Sequence, residues 1–312
     1  MTIAKGAIDP KRFHHRALFY NSAREGFSDL LDHVIADGRH NVLLPAFIGW
    51  SPREGSGVFD PVRASAAEPI FYNLNPDLTV DLTSLERALE LHPGGLLVVL
   101  HYFGRTEPRM AAIRDLAEQH DALLVEDLAH GLYSWAIGGA AGRSGAISLF
   151  SLHKMLPRRD GGMMIYRDLT ILTGQRETAP ELARFLLDYD WASIAAARCS
   201  NFEAIAKRLR ASSLNGSRFA LLWPECAAGD VPQTLPVRIL RGDRDAVYHR
   251  MNAEGFGMVS LYHTLIEDVG AGFPELAALS RSIINFPVHQ DVDADAIEVL
   301  VLSFERSLDA EA

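Results

Sequence analysis

Asp127 and Lys154 stand 27 residues apart, each at the end of an apolar run, ALLVEDLAH and AISLFSLHK. An acid and an amine presented at two strand ends are either a buried ion pair or two grips on a cofactor. A bare ion pair at the ligand edge of a sheet would leave costly charges half buried without need. Lysine is scarce in this chain, with Lys5, Lys11, Lys154 and Lys207 the only four among 30 basic residues. Lys154 is alone between positions 12 and 206, and it follows a strand-like run instead of a solvated helix face. One lysine kept where arginine supplies most of the charge suggests amine chemistry that a permanently protonated guanidinium cannot do.

Alternating elements are expected to position the pair. NVLLPAFIGW, EPIFYNLN, GGLLVVLHYFG and ALLVEDLAH read as buried strands. Between or before them, YNSAREGFSDLLDHVIADG, LTVDLTSLERALELH and PRMAAIRDLAEQHD carry helical spacing of apolar residues. The alternation indicates a mostly parallel sheet covered on both faces. Ligands in such sheets bind beyond the carboxyl ends of the strands, where Asp127, His130, His101 and Tyr102 all fall. Residues 1–20 read as a short arm, and SPREGSGVFDP as a loop rich in glycine, proline and charge. Beyond a helical stretch at 170–215, TLPVRIL, DAVYHRMNAEG and IINFPVHQDVDADAIEVLVLSFERSL suggest a smaller α/β unit. The expected division is a large domain over 1–180 and a small C-terminal domain over 181–312.

Composition removes several classes of function. Net charge is −10 and the arginines are scattered, whereas nucleic-acid binding needs a concentrated basic face. Cys199 and Cys226 have neither metal-ligand spacing nor a disulfide framework, and read as core residues. The twelve histidines are dispersed without an HExxH pattern, and His14–His15 reads as a solvated pair, so no metal is expected. No apolar run reaches the roughly 18 residues of a membrane span. The N-terminus lacks an apolar signal region, and a cytoplasmic protein is expected. No GxGxxG follows the first strand, which disfavours a dinucleotide site.

Pyridoxal phosphate (PLP) would use what remains. It needs a lysine amine for a Schiff base, and a carboxylate to keep its ring nitrogen protonated. It also needs a helix N-terminus with hydroxyls for its phosphate, and an aromatic face over its ring. Lys154, Asp127, the helix start Ser22-Ala23-Arg24 with Ser151, and Trp50 or Phe47 fill those roles in order, with Trp50 preferred. Each has a structural alternative. Ser22 to Glu25 has the spacing of an ordinary capping box. Asp127 could cap the next helix, and His130 and Ser151 could be satisfied hydrogen-bonding residues. His289 reads as a turn residue.

The ordered pieces PAF, HYFG, VEDLAHG, SLFSLHK, DGG and NFPVHQ resemble the DegT/StrS-type sugar aminotransferases, which are fold-type I, aspartate-aminotransferase-like PLP enzymes. The resemblance covers about residues 20–166 and, more weakly, 195–308. It implies the PLP-dependent transferase fold, α/β, with a mostly parallel seven-stranded sheet in the large domain and a smaller α/β C-terminal domain. It makes Lys154 the Schiff-base lysine, Asp127 the partner of the ring nitrogen, and His130 the neighbour of the 3-hydroxyl. Ser151 and Ser22-Ala23-Arg24 become the phosphate site, and Trp50 the stacking aromatic. It also implies transfer of an amino group from a donor such as glutamate to a keto-sugar, nucleotide-linked, in a homodimer. Tyr102, Arg158 and Arg159 are candidate substrate contacts, although loop arginines are commonly only solvated. Three departures stand out. The chain is short, the serine–lysine spacing is shorter than the usual S-F-x-x-x-K, and no partner-reaching segment is found between Tyr166 and Cys199. A PLP enzyme with another carbonyl or amine substrate, or a non-catalytic relative, stays open.

Overall fold

Asp127 ends a central strand of a seven-stranded sheet. The computed structural model describes residues 16–172, 176–186 and 188–310. The expected arm before Arg16, with His14–His15, lies outside the described residues. The sheet comprises β1 (Arg16–Tyr20), β2 (Asn41–Pro45), β3 (Glu68–Tyr72), β4 (Leu96–Leu100), β5 (Leu123–Asp127), β6 (Ile147–Ser151) and β7 (Gly162–Tyr166). Their order is β1-β7-β6-β5-β4-β2-β3. The pairs β2–β3, β2–β4, β4–β5 and β5–β6 are parallel, and β7 runs antiparallel to both β6 and β1. All five residues of β4, LLVVL, are buried, as a parallel strand covered on both faces requires.

Helices α1 (Ala23–Ala36), α2 (Phe59–Ala64), α3 (Leu82–Leu91), α4 (Met110–Gln119), α5 (Leu132–Ala136), α6 (Leu182–Phe185) and α7 (Trp191–Ala211) follow in chain order. On α1 the apolar stripe Phe27, Leu30, Leu31 and Val34 is buried. Asp81 caps α3 by accepting from the Thr83 and Ser84 amides at 3.0 and 3.2 Å. A second, antiparallel sheet has the order β10-β9-β8, from β8 (Phe219–Leu221), β9 (Thr234–Ile239) and β10 (Ile283–Pro287). It is accompanied by α8 (Arg244–Ala253), α9 (Glu267–Gly270), α10 (Pro274–Ser282) and α11 (Ile297–Asp309). Phe219, Phe286 and Phe304 form the aromatic centre of its core. Trp223, Ile266, Val269 and Leu276 pack instead into the core of the large sheet.

Two local expectations are corrected. Residues 16–20 are a paired edge strand, not part of an arm, with Leu18, Phe19 and Tyr20 buried against the sheet. The loop after Trp50 contains α2, because Phe59 and Val62 reach the core. The α/β fold itself is the one expected.

Gly162 sets how closely β7 approaches α1. A Cβ there would lie 2.5 Å from the Ala23 nitrogen and from the Ser22 carbonyl carbon and oxygen. These are backbone atoms that cannot swing aside. Gly162→Ala is therefore expected to destabilise the fold by about 1–3 kcal/mol, the range for overpacking, as read by urea unfolding.

Candidate active site

Glu126 and Asp127 are consecutive in β5, so they face opposite sides of the sheet. Glu126 is fully buried and satisfied. Its Oε1 accepts from the Ser144 and Gly145 amides at 2.7 and 2.6 Å, and its Oε2 from the Gly142 amide at 2.8 Å. His101 Nε2 lies 2.9 Å from the same Oε2. His101 Nδ1 accepts from the Glu107 amide at 3.1 Å, which assigns the proton of the neutral ring to Nε2. Burial alone would raise the Glu126 pKa, but the bonds from His101, Gly145 and Ser144 outweigh it and lower it. His101, expected at the ligand edge, therefore belongs to a structural network on the opposite face.

Asp127 is 7% exposed, and its Oδ1 accepts from the Ala129 amide at 2.7 Å. Burial raises its pKa, against the pull of the Lys154 charge and the Ala129 N–H. Lys154 is carried by the turn Leu152–Lys154 that directly follows β6, the parallel neighbour of β5. Burial lowers the amine's pKa, opposed by Asp127 and Glu54, and nearby Arg24 lowers it further. Among the described residues, neither Lys154 Nζ nor Asp127 Oδ2 has a hydrogen-bond or ion-pair partner, and neither atom is sealed from solvent. The acid and the amine feel each other without closing into an ion pair.

His130 is buried beside them. Its Nδ1 accepts from the Phe103 amide at 3.3 Å, so the neutral ring carries its proton on Nε2. Burial, with the Lys154 charge adding to it, holds its pKa well below the usual range. Phe103 adopts a left-handed conformation (φ 54°), and the following Gly104 a φ of 90°. A Cβ at Gly104 would lie 2.3 Å from the Val231 oxygen. The turn behind His130 is thus tied to the chain entering β9.

The start of α1 meets the start of β7 through the Ser22↔Gly161 bridge. Ser22 Oγ accepts from the Glu25 amide at 3.1 Å, and Glu25 turns its carboxylate back to the Asn21 amide at 2.9 Å. Glu25 is thereby engaged with the Asn21 amide, and no hydrogen-bond acceptor is found for the Ala23 and Arg24 amides among the described residues. Ser151 Oγ lies 3.2 Å from His153 Nδ1. Arg24 donates to the Glu54 carbonyl oxygen and lies 4.0 Å from Asp60. Free amides at a helix start, with a serine and an arginine beside them, make a fitting cradle for a phosphate.

Of the other expected contacts, Phe47 and Tyr102 lie in an aromatic cluster beside the site, whereas Trp50, Arg158 and Arg159 are not gathered here. Trp50 is 45% exposed, with its amide on the Thr264 oxygen at 3.0 Å. Phe47 is buried and stacked on Tyr262 at 5.2 Å. The Tyr102 hydroxyl is committed to the Phe47 oxygen at 2.8 Å, and the residue is buried. Arg158 lies over the Phe185 ring at 4.0 Å, and Arg159 is exposed. His289 is a turn residue whose Nδ1 accepts from the Asp291 amide at 3.2 Å.

Tyr262 is the site residue that sequence reading missed. Its ring is 5.3 Å from Tyr102, 5.4 Å from Phe103 and 5.6 Å from His130. Burial first, and then the Asp127 charge, raise its pKa well above the usual value. Its left-handed backbone (φ 56°) aims the ring into this cluster from a loop far along the chain.

Buried histidines also set an acid limit on stability. His263 is pushed down to about 3 by burial and by neighbouring Arg244. Below about pH 6.5 the unfolded chain takes up a proton there that the folded chain refuses. Stability is full above that pH and declines as pH falls toward 3. Between pH 7.5 and 5.5, His263→Leu should remove roughly 1–2 kcal/mol of the decline measured by urea unfolding.

Among the described residues, no group of three or more His, Cys, Asp or Glu could hold a metal ion, and no helix is long and apolar enough to cross a membrane. Residues 55–177 match the profile of the DegT/DnrJ/EryC1/StrS aminotransferase family. The dTDP-4-dehydro-2,3,6-trideoxy-D-glucose 4-aminotransferase of Saccharopolyspora spinosa is 29% identical over 109 residues, which are 34% of this chain and 28% of that protein. S. venezuelae DesV, solved with a ketimine intermediate, superposes with a TM-score of 0.72 at 20% identity, covering 93% of this chain and 84% of that one. The PLP form of the putative sugar aminotransferase Spr1654 from Streptococcus pneumoniae superposes at 0.72 and 15% identity, covering 95% and 88%. The structural similarities show the fold, and the profile match bears out the resemblance read from the sequence.

Proposed function

We propose that this chain, similar over residues 55–177 to the DegT/DnrJ/EryC1/StrS aminotransferases, is itself a PLP-dependent aminotransferase. It would move an amino group from a donor such as glutamate to a keto-sugar, nucleotide-linked as in the Saccharopolyspora relative's name. One observation carries this reading: the unpaired Lys154 amine and the uncommitted Asp127 oxygen share one edge of the sheet without forming an ion pair.

The donor set fits the cofactor. A buried carboxylate with one free oxygen suits a protonated ring nitrogen, and the α1 amides with Ser22, Arg24 and Ser151 suit a phosphate. PLP, when bound, supplies an electron sink for the carbon from which a proton is removed. The chain's own residues do the rest. Lys154, its pKa lowered by burial, offers a neutral amine more readily than a solvated lysine and moves the proton at the substrate carbon. Asp127 holds the ring-nitrogen proton from a low-dielectric setting, where the attraction is strong. His130, neutral, donates from Nε2 toward the ring's oxygen substituent. Tyr262 and Phe47, stacked on each other, exclude water from the cluster beside His130.

A homodimer and a cytoplasmic location belong to the same reading and are supported by the family resemblance. A second reading, another carbonyl or amine substrate, is favoured by the commitment of Tyr102 to Phe47 and the packing of Arg158 on Phe185. The test is half-transamination: protein loaded with PLP is mixed with glutamate in the absence of acceptor. One equivalent of 2-oxoglutarate with conversion of the bound cofactor to its amine form supports an aminotransferase. Unchanged absorption with glutamate and every other amino donor offered would reject it.

A further inference from the structure

The two cysteines are separated by 27 residues in sequence, with Cys199 on α7 and Cys226 in the segment between β8 and β9. The fold turns both thiols onto one carbonyl. Cys199 Sγ lies 3.5 Å and Cys226 Sγ 3.4 Å from the Asp230 oxygen, so the two thiols donate to one acceptor and stand side by side. Both side chains are partly exposed, so a small oxidant can reach them.

We propose that Cys199 and Cys226 are a redox-active dithiol that closes to an intramolecular disulfide under a disulfide oxidant such as oxidised glutathione. The inference stands on the placement of the thiols and does not depend on the reaction proposed above. The chemistry balances. The Cys199 thiolate attacks one sulfur of the oxidant, breaking its S–S bond, forming a mixed disulfide and releasing one glutathione thiolate. Cys226 gives up its proton and attacks the Cys199 sulfur, forming the protein disulfide and releasing the second glutathione. Two protein thiols lose two electrons and two protons, and one oxidised glutathione becomes two reduced ones. The closeness of the two thiols orders these steps, because each perturbs the other, lowering the Cys199 pKa and raising that of Cys226. The lower-pKa thiol is the better supplied with thiolate and attacks first.

The dithiol sits on a segment that reaches the candidate site. Asp230 accepts from the Thr106 amide at 3.1 Å and from its hydroxyl, and Gln233 donates its amide to the Phe103 oxygen at 2.7 Å. Phe103 in turn donates to His130. A disulfide would therefore tether α7 to the segment that supports the turn behind His130.

The experiment is equilibration of the folded, full-length chain in glutathione buffers of stepped redox ratio, followed by acid quench, thiol counting and mass spectrometry. The expected result is joint loss of both thiols, a mass lower by about 2 Da, and a peptide linking Cys199 to Cys226. Cys226→Ala should accumulate one glutathionyl group on Cys199, while Cys199→Ala should react at least about tenfold more slowly. Two independent glutathionyl groups on the unsubstituted chain would overturn the proposal, as would linkage only between chains. So would two free thiols in buffers that oxidise the isolated Cys226→Ala protein.

Discussion

Lys154→Ala protein will fold, will bind no PLP covalently, and will lose transamination turnover by about 10⁴-fold or more, the scale set by removing a nucleophile that is also the proton carrier. The fold should survive because Lys154 makes no hydrogen bond among the described residues and ends a three-residue turn. Its removal also relieves a desolvated amine, so the unfolding midpoint should change little. Lys154→Arg separates the two readings of the opening pair. A guanidinium keeps the positive charge opposite Asp127 but neither loses its proton nor forms the adduct. If the pair were a structural ion pair, arginine would preserve function. On the present account it fails as completely as alanine, in both the absorption spectrum and the steady-state rate.

Asp127→Asn should cost about 10²–10⁴-fold in turnover while leaving the protein folded and able to bind the cofactor more weakly. Asparagine keeps an oxygen for the Ala129 amide, so the turn after β5 retains its bond. What is lost is the negative charge, which is most effective because Asp127 is almost wholly buried. Without it the cofactor's ring nitrogen has no reason to stay protonated. Asp127→Glu restores the charge and should recover part of the rate, measured with glutamate as donor. A variant that binds PLP normally and turns over at the unsubstituted rate would remove Asp127 from the chemistry.

These expectations rest on parts of the molecule that were unequally legible in the sequence. The parallel strands were clear because they are short, wholly apolar and alternate with amphipathic helices, as in LLVVL of β4. Strand β1 was not, since only three of its five residues are buried and its partner β7 comes about 145 residues later. Strand parity decided a subtler matter. Glu126 and Asp127 are both acids at one strand end, yet alternation sends one to a structural cage with His101 and the other to the site. Ser22 and Glu25 showed the spacing of a capping box, but which amide Glu25 takes is set by the fold: its carboxylate accepts from Asn21. Tyr262 had no sequence signal at all. It lies 135 residues beyond Asp127 in a loop, and a left-handed backbone angle directs its ring. Cys199 and Cys226 likewise meet only through the packing of α7 against the segment before β9.

The central claim is that Lys154 is the cofactor lysine, and the scarcity of lysine makes it directly testable. The protein is incubated with PLP, reduced with borohydride, digested, and the pyridoxyl-labelled peptide identified by mass spectrometry. With only four lysines in the chain, the label can fall in few places. The account predicts stoichiometric labelling of Lys154, with the visible absorption band abolished on reduction. Label on Lys5, Lys11 or Lys207 in its place, or no label at saturating PLP, would contradict it.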